Sequence, residues 1–353
     1  MFLLDTHCDT PSHILRLRDL TQDDRYSHVD FPKLRRGGVD GAFFALYTPA
    51  SLTSNESYAY AMKLLEGVND VLNTHQDKAR LATTGAEAYS NKENGLFSVF
   101  LGLENGAALE NSLDRVDEFY NSGVRYITLC HSKNNQVCDS CADGNGWNGL
   151  SPFGKDVVRR MNSLGMLVDV SHISDASFYD VLETSDNPVV ATHSCCRALC
   201  SHPRNMTDEM IRNLAEAGGV IQINFYPLFL DDAFKFELER SGIMEYGEHI
   251  ESEFIADPAD PQKRSAWNKV QDELQALRRP SFKLIADHID HVVDLVGIDH
   301  VGIGSDFDGI EVTPAGMEDI SHMPALMDEL SGRGYSKSDL EKIASENFFR
   351  ILR

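Results

Sequence analysis

The sequence predicts a (β/α)8 barrel, and three observations lead there: eight short apolar, β-branched runs, helix-like stretches between them, and enough length for the fold with insertions. Near-continuous apolar character marks strands buried on both faces, which parallel sheets covered by helices produce. The 353 residues exceed the roughly 250 typical of such a barrel. A doubly wound parallel sheet is the other architecture that this alternation allows.

The eight runs are residues 2–5, 41–47, 96–103, 125–129, 166–170, 188–192, 219–225 and 300–304. Helical spacing recurs between them: at 58–72, where Ala61, Leu64, Leu65 and Val68 share a face, then at 153–164, 176–183, 208–217 and 282–296. Thr207 before Asp208-Glu209 is a capping signal, and Gly218-Gly219 a stop. Surplus length falls at 48–94, at the Asn/Gly/Cys-rich 134–149 and at the acidic 227–280. The last, with Asp257-Pro258-Ala259-Asp260-Pro261, is expected to form a lid or subunit contact within one domain spanning 1–353.

Composition supports a chain with a large core: 42% hydrophobic, 25% charged, 25 glycines and 12 prolines exclude disorder and collagen-like architectures. A net charge of -23 argues against nucleic acid and anionic lipid surfaces as partners. The apolar runs are too short to span a bilayer, and Met-Phe-Leu-Leu meets Asp5 at once, unlike a secretory signal, so a cytoplasmic location is expected. Seven cysteines, an odd number, point to reduced thiols. Cys138 and Cys141 have a knuckle spacing, but Cys195, Cys196 and Cys200 do not match it, so free thiols are expected over a structural zinc site.

The sharper signal lies where these strands end. In a parallel barrel the reactive residues sit on the face built by the βα loops. Here the runs end Asp5-Thr6-His7-Cys8-Asp9, Gly102-Leu103-Glu104, Cys130-His131, Asp169-Val170-Ser171-His172, Thr192-His193 and Ser305-Asp306-Phe307-Asp308. Side chains two apart on a strand share a face, which would put His7 and Asp9 together with Asp5 one step deeper. Imidazoles and carboxylates converging on one mouth suit zinc, and a carboxylate such as Glu104 can bridge two ions about 3.5–4 Å apart. Asp308 is expected to hold its loop, and Trp147 and Tyr226 to line the mouth. The remaining histidines, His13, His28, His202 and His288 among them, need no more than solvent-facing or hydrogen-bonded roles; Asp287 and Asp290, near His288 and His291, read as a charged, solvated helix face.

These motifs, with Arg204-Asn205 and the final Glu346-Asn347-Phe348-Phe349-Arg350, occur in the order found in the membrane (renal-type) dipeptidases, peptidase family M19, which the chain resembles from end to end. The resemblance implies a (β/α)8 barrel, two zinc ions per chain and a homodimer. It implies that His7 and Asp9 ligate one zinc, that His172 and His193 ligate the other, and that Glu104 bridges them. His131 then contacts substrate, Arg204 faces the terminal carboxylate, and Asp306 stands beside the metals. Without the lipid anchor of mammalian members, the chain is expected to be a soluble microbial relative.

The chemistry expected is hydrolysis of dipeptides, including those with a D-residue at the C-terminal position, by a hydroxide held between the metals. His131 stabilises the oxyanion, and Asp306 either shuttles the proton or anchors the free ammonium. A clamp on both termini would restrict the substrate to dipeptides. The alternative is a related amidohydrolase acting on N-acyl amino acids, cyclic amides or β-lactams, which would not need Arg204. A non-enzymatic barrel would have lost ligands, and none is lost.

Overall fold

The computed structural model describes residues 1–352. Nine strands, all parallel, form one sheet: β1 (Leu4–Cys8), β2 (Gly41–Tyr47), β3 (Ala79–Leu81), β4 (Phe97–Glu104), β5 (Val124–Thr128), β6 (Leu167–Asp169), β7 (Val190–Ser194), β8 (Val220–Ile223) and β9 (Val301–Ile303). Eight of them run in the order β1-β2-β4-β5-β6-β7-β8-β9 and make the barrel expected from the eight apolar runs. The ninth, β3, lies inside the expected 48–94 insertion and pairs with the lower part of β4, through Phe97 to Val99, below the stretch that β5 occupies. No regular ladder joins β9 to β1. The ring is closed instead by an isolated bridge between Cys8 and Phe307, with His7 O accepting from Asp306 N at 3.0 Å and Phe307 O from Asp9 N at 2.8 Å.

The helices fall where periodicity placed them. Ser54–Thr74 starts with a capping box between Thr53 and Glu56 and buries Ala61, Leu64, Leu65 and Val68. Pro152–Leu164, Asp175–Thr184 and Asp208–Glu216 are capped by Ser151, Ser174 and Thr207, each accepting from a backbone N–H of the first turn. On Lys283–Val296, His288 takes the hydrogen-bonded of its two expected roles: it is buried, and its Nδ1 accepts from Cys196 N at 3.0 Å. Asp287 and Asp290 of the same helix bind Arg333.

Residues 227–280 are not a structureless loop. They fold into helices Pro227–Leu230, Asp232–Ser241, Ile243–Ala256 and Pro261–Gln275 with a hydrophobic cluster of their own, built on Phe234, Leu238, Phe254, Trp267 and Leu274. Inside the barrel, Leu4, Phe43, Phe100, Tyr126, Leu167, Val190 and Val220 pack with Phe348 from the helix Asn347–Ile351. Along β4 the inward positions run Phe100, Gly102, Glu104, following the two-residue period of a strand. A side chain at Gly102 would collide with the Tyr126 ring, so this glycine makes the room that lets Tyr126 cross the barrel toward β1.

Candidate metal centre and substrate cavity

Glu104 ends β4 and is buried at the centre of the mouth. Its Oε2 lies 3.4 Å from His7 Nε2, and its Oε1 lies 3.1 Å from His172 Nε2 and 3.4 Å from His193 Nε2. The Nε2 atoms of His172 and His193 face each other at 2.9 Å, and His7 Nε2 lies 3.6 Å from Asp9 Oδ2. The structure thus brings together all five residues expected as ligands. Asp9 arrives there by a different route from the one expected: β1 stops at Cys8 after a register irregularity, and Asp9 precedes the helix Thr10–Leu15, so chain reversal and not strand alternation carries it into the mouth.

Contacts farther out fix which imidazole nitrogen faces the centre. Tyr126 donates its hydroxyl to Thr6 O at 3.3 Å, leaving its oxygen to accept from His7 Nδ1 at 2.8 Å. Thr192 donates to Asp169 Oδ2 at 2.7 Å, and its oxygen accepts from His193 Nδ1 at 2.8 Å. In both rings the proton sits on Nδ1 and the Nε2 lone pair points at Glu104, the arrangement metal-ligating histidines require. Asp169 is held by the hydroxyl of Thr128 at 2.5 Å and by the amides of Ser171 and Thr192.

The residues fit divalent metal. His7 Nε2 and Asp9 Oδ1 are buried with no hydrogen-bond partner among the described residues, which is costly unless a cation takes them. Ligand atoms of three overlapping sets lie within 4.8 Å of one another: His7, Glu104 and His193; Glu104, His131 and His172; His7, Asp9 and Asp306. Glu104 belongs to two of them. This grouping sets His193 beside His7, where the resemblance paired it with His172. No cysteine belongs to these sets, and the seven cysteines are free.

Electrostatics agree with the geometry. Burial alone would push the Glu104 carboxyl up, but the surrounding imidazoles hold it well below the usual carboxylate range. Burial keeps His172 and His193 well below the usual imidazole range, with Arg204 adding to it. At His7 burial is outweighed by Glu104 and Asp9, so the field there favours positive charge. Burial pushes Asp306 up to about 8, with Asp9 and Glu104 contributing. Asp306 accepts from Asn224 Nδ2 at 2.9 Å. His172 and Asp306 both hold left-handed backbone, φ 71° and 65°, which non-glycine residues adopt only when the surrounding structure imposes it.

The mouth opens into a cavity of about 510 Å³. His131 reaches it with Nδ1 unpartnered and its ring 4.2 Å from that of His172. Arg204 is 5% exposed; its Nη1 donates to Ser194 Oγ and its Nη2 to His193 O, each at 2.7 Å, while Nε has no partner among the described residues. Part of the guanidinium fork expected to meet a carboxylate is therefore spent on the protein. Asp308 holds its loop as expected, accepting from the Thr10 hydroxyl at 2.8 Å and the His28 amide at 2.6 Å. Tyr226 lines the cavity, but Trp147 does not; it is half exposed and donates to Asn135 O. Sequence reasoning missed Tyr126, Thr192 and Ser140, and set aside His13, His28 and His202, which line the cavity. Ser140 Oγ donates to His131 O at 2.5 Å while Cys141 N donates to His172 O at 2.9 Å, so the Cys138–Cys141 stretch pins two mouth histidines.

A parallel barrel whose mouth gathers three imidazoles around a buried carboxylate defines the class of barrel metallohydrolases. Comparison with known proteins narrows it. The family profile described as membrane dipeptidase (peptidase family M19) matches residues 1–353. Dipeptidase verJ of Clonostachys rogersoniana is 31% identical over 339 residues, covering 93% of this chain and 76% of that protein. The crystal structure of dipeptidase AC, a family M19 metallopeptidase, covers 100% of this chain and 98% of its own at 25% identity and a TM-score of 0.82. A metallopeptidase from Rhodobacter sphaeroides, liganded with a phosphinate mimic of the dipeptide L-Ala-D-Ala, shares the fold at 24% identity and a TM-score of 0.82. The chain belongs to the membrane dipeptidase family, M19, and is a dipeptidase, a hydrolase of peptide bonds. No helix among the described residues is long and apolar enough to cross a membrane.

Proposed function

We propose that this dipeptidase works with two zinc ions held by His7, Asp9, Glu104, His172 and His193, and that its substrates include dipeptides with a D-residue at the C-terminal position. The observation that carries the metal reading is the convergence of three Nε2 atoms on Glu104, two of them with their Nδ1 protons engaged behind. When bound, the metals supply Lewis acidity and an activated water at neutral pH.

The chain's own groups do the rest. His131, kept neutral by burial, carries one N–H to offer the oxyanion. Asp306, with its carboxyl raised and anchored by Asn224, either moves a proton from water to the leaving amine or receives the substrate's free ammonium. Arg204 offers its unpartnered Nε–H to the terminal carboxylate. We read the chain as one domain in which residues 227–280 wall the cavity. We further read the enzyme as a cytoplasmic homodimer: seven unpaired thiols suit a reducing compartment, and the dimer rests on family resemblance.

The commitment of Arg204 to Ser194 and His193 is the one observation favouring the related reading, an amidohydrolase for N-acyl or cyclic amides. One experiment separates the two. The protein is loaded with zinc, its metal is counted, and turnover is measured on a dipeptide panel with L- and D-configured C-terminal residues beside N-acetylated and C-amidated counterparts. Two zincs and cleavage restricted to free dipeptides are expected; preference for blocked substrates overturns the proposal.

A further inference from the structure

We infer that the end of the cavity walled by residues 227–280 is a subsite for a cationic side chain on the N-terminal residue of the dipeptide. The inference rests on the proposed function, which puts the terminal carboxylate at Arg204. That arginine is tied to β7, whereas the opposite end of the cavity is built after β9 and β1, two and three strands farther round the barrel. With the carboxylate above β7, the N-terminal residue lies toward Asp306 and the insertion.

This end is built to receive a charged donor. Glu311 and Tyr226 both face the cavity. The charges acting on Glu311 most strongly are those of Glu251 and Glu248, both anionic, so with burial they push its carboxyl up. Glu251, from the helix Ile243–Ala256, has Arg16 Nη1 at 3.5 Å from its Oε1, which offsets its charge, whereas Glu311 has no ion-pair partner among the described residues. Asp308 is not the missing partner's competitor, because Thr10 and His28 already donate to both its oxygens.

Two further side chains point to a ligand. Ser12 is 4% exposed and His13 is 8% exposed; both line the cavity, and Ser12 Oγ and His13 Nδ1 have no hydrogen-bond partner among the described residues. Burial holds His13 down to about 4, so at neutral pH it is an uncharged group, with its Nδ1 3.6 Å from Asp308 Oδ1. A buried carboxylate without a cation and buried polar atoms without partners are both expensive. One ammonium or guanidinium on a flexible stem answers both, with its methylenes lying along Ile255 and Trp267, which line the same end. The substrate class is then Lys-Xaa and Arg-Xaa.

The test compares kcat/KM of the zinc-loaded enzyme for Lys-Ala, norleucyl-Ala and Glu-Ala, the second having the lysine stem without its charge. Lys-Ala is expected to exceed norleucyl-Ala by about 10-fold or more, the worth of one charge-assisted hydrogen bond, with Glu-Ala slowest. In Glu311→Gln the Lys/norleucine ratio is expected to fall to about one, and Glu251→Gln to lower it less because Arg16 already serves that group. A wild-type ratio at or below one overturns the inference, as does a ratio untouched in Glu311→Gln. The second result would mean that Glu311 serves the α-ammonium common to all three substrates. If Glu311→Gln does not fold, the wild-type ratio decides. Loss of the dipeptidase reading itself would look different, because norleucyl-Ala would not be cleaved either.

Discussion

Replacing Tyr126 with phenylalanine removes one oxygen and keeps the ring that fills the space beside Gly102. That oxygen lies 2.8 Å from His7 Nδ1 and 3.3 Å from Thr6 O, in a part of the barrel closed to solvent. Without it a buried imidazole N–H loses its acceptor, a cost of about 1–3 kcal/mol. The ring can reduce that cost by moving its proton to Nε2, beside Glu104 and Asp9, but this destroys the lone pair a metal needs. Affinity for zinc should therefore fall by about 10- to 100-fold, the usual effect of losing such an outer partner. In free energy this is about 1.4–2.7 kcal/mol. Titration against a chromophoric chelator measures the affinity directly. Thermal melts with and without zinc should show the metal-dependent gain in Tm shrinking, read separately from any drop in the metal-free Tm. A phenylalanine variant that binds zinc as tightly as the parent would refute the claim that Tyr126 sets the His7 tautomer.

Chelation should abolish dipeptide hydrolysis and lower Tm, with zinc restoring both; full activity in metal-free protein, checked by elemental analysis, would remove metal from the mechanism. Ser140→Ala, which frees the His131 carbonyl, should cut kcat on the order of 10-fold with little change in Tm, and Ser140→Thr should recover part of it; unchanged kcat would make the Cys138–Cys141 stretch mere packing. Arg204→Lys keeps the charge but loses the fork that grips Ser194 and His193 while offering Nε, so KM for dipeptides should rise about 10- to 100-fold with kcat less affected; steady-state kinetics showing equal KM would take Arg204 out of substrate binding.

The barrel was legible because its strands are buried on both sides and therefore read as apolar runs. β3 was not: Ala-Arg-Leu is only three residues long, with a charged, exposed residue at its centre, and makes no run. Glu104, His172 and His193 were legible because strand ends in a parallel barrel share one face. Tyr126 and Thr192 were not, since a tyrosine or threonine inside an apolar run looks like ordinary strand filling, and only the folded barrel shows Tyr126 reaching across to His7 and Thr192 bonding the ring of His193 beside it. Which of its two expected roles His288 would take was not legible, because only the packing of the helices Asp208–Glu216 and Pro227–Leu230 against its helix buries it. The left-handed backbone at His172 and Asp306 has no sequence signal of the kind a glycine would give.

The join between β9 and β1 has a consequence for how this enzyme fails. Paired strands join every other set of neighbouring staves, but here the last gap is stitched by the main chain of His7, Asp9, Asp306 and Phe307. Fraying of the cylinder and dispersal of its reactive groups are thus one event. Amide hydrogen exchange at Asp9 and Asp306 should slow on zinc loading, and heat inactivation should coincide with the first loosening of the wall instead of following it.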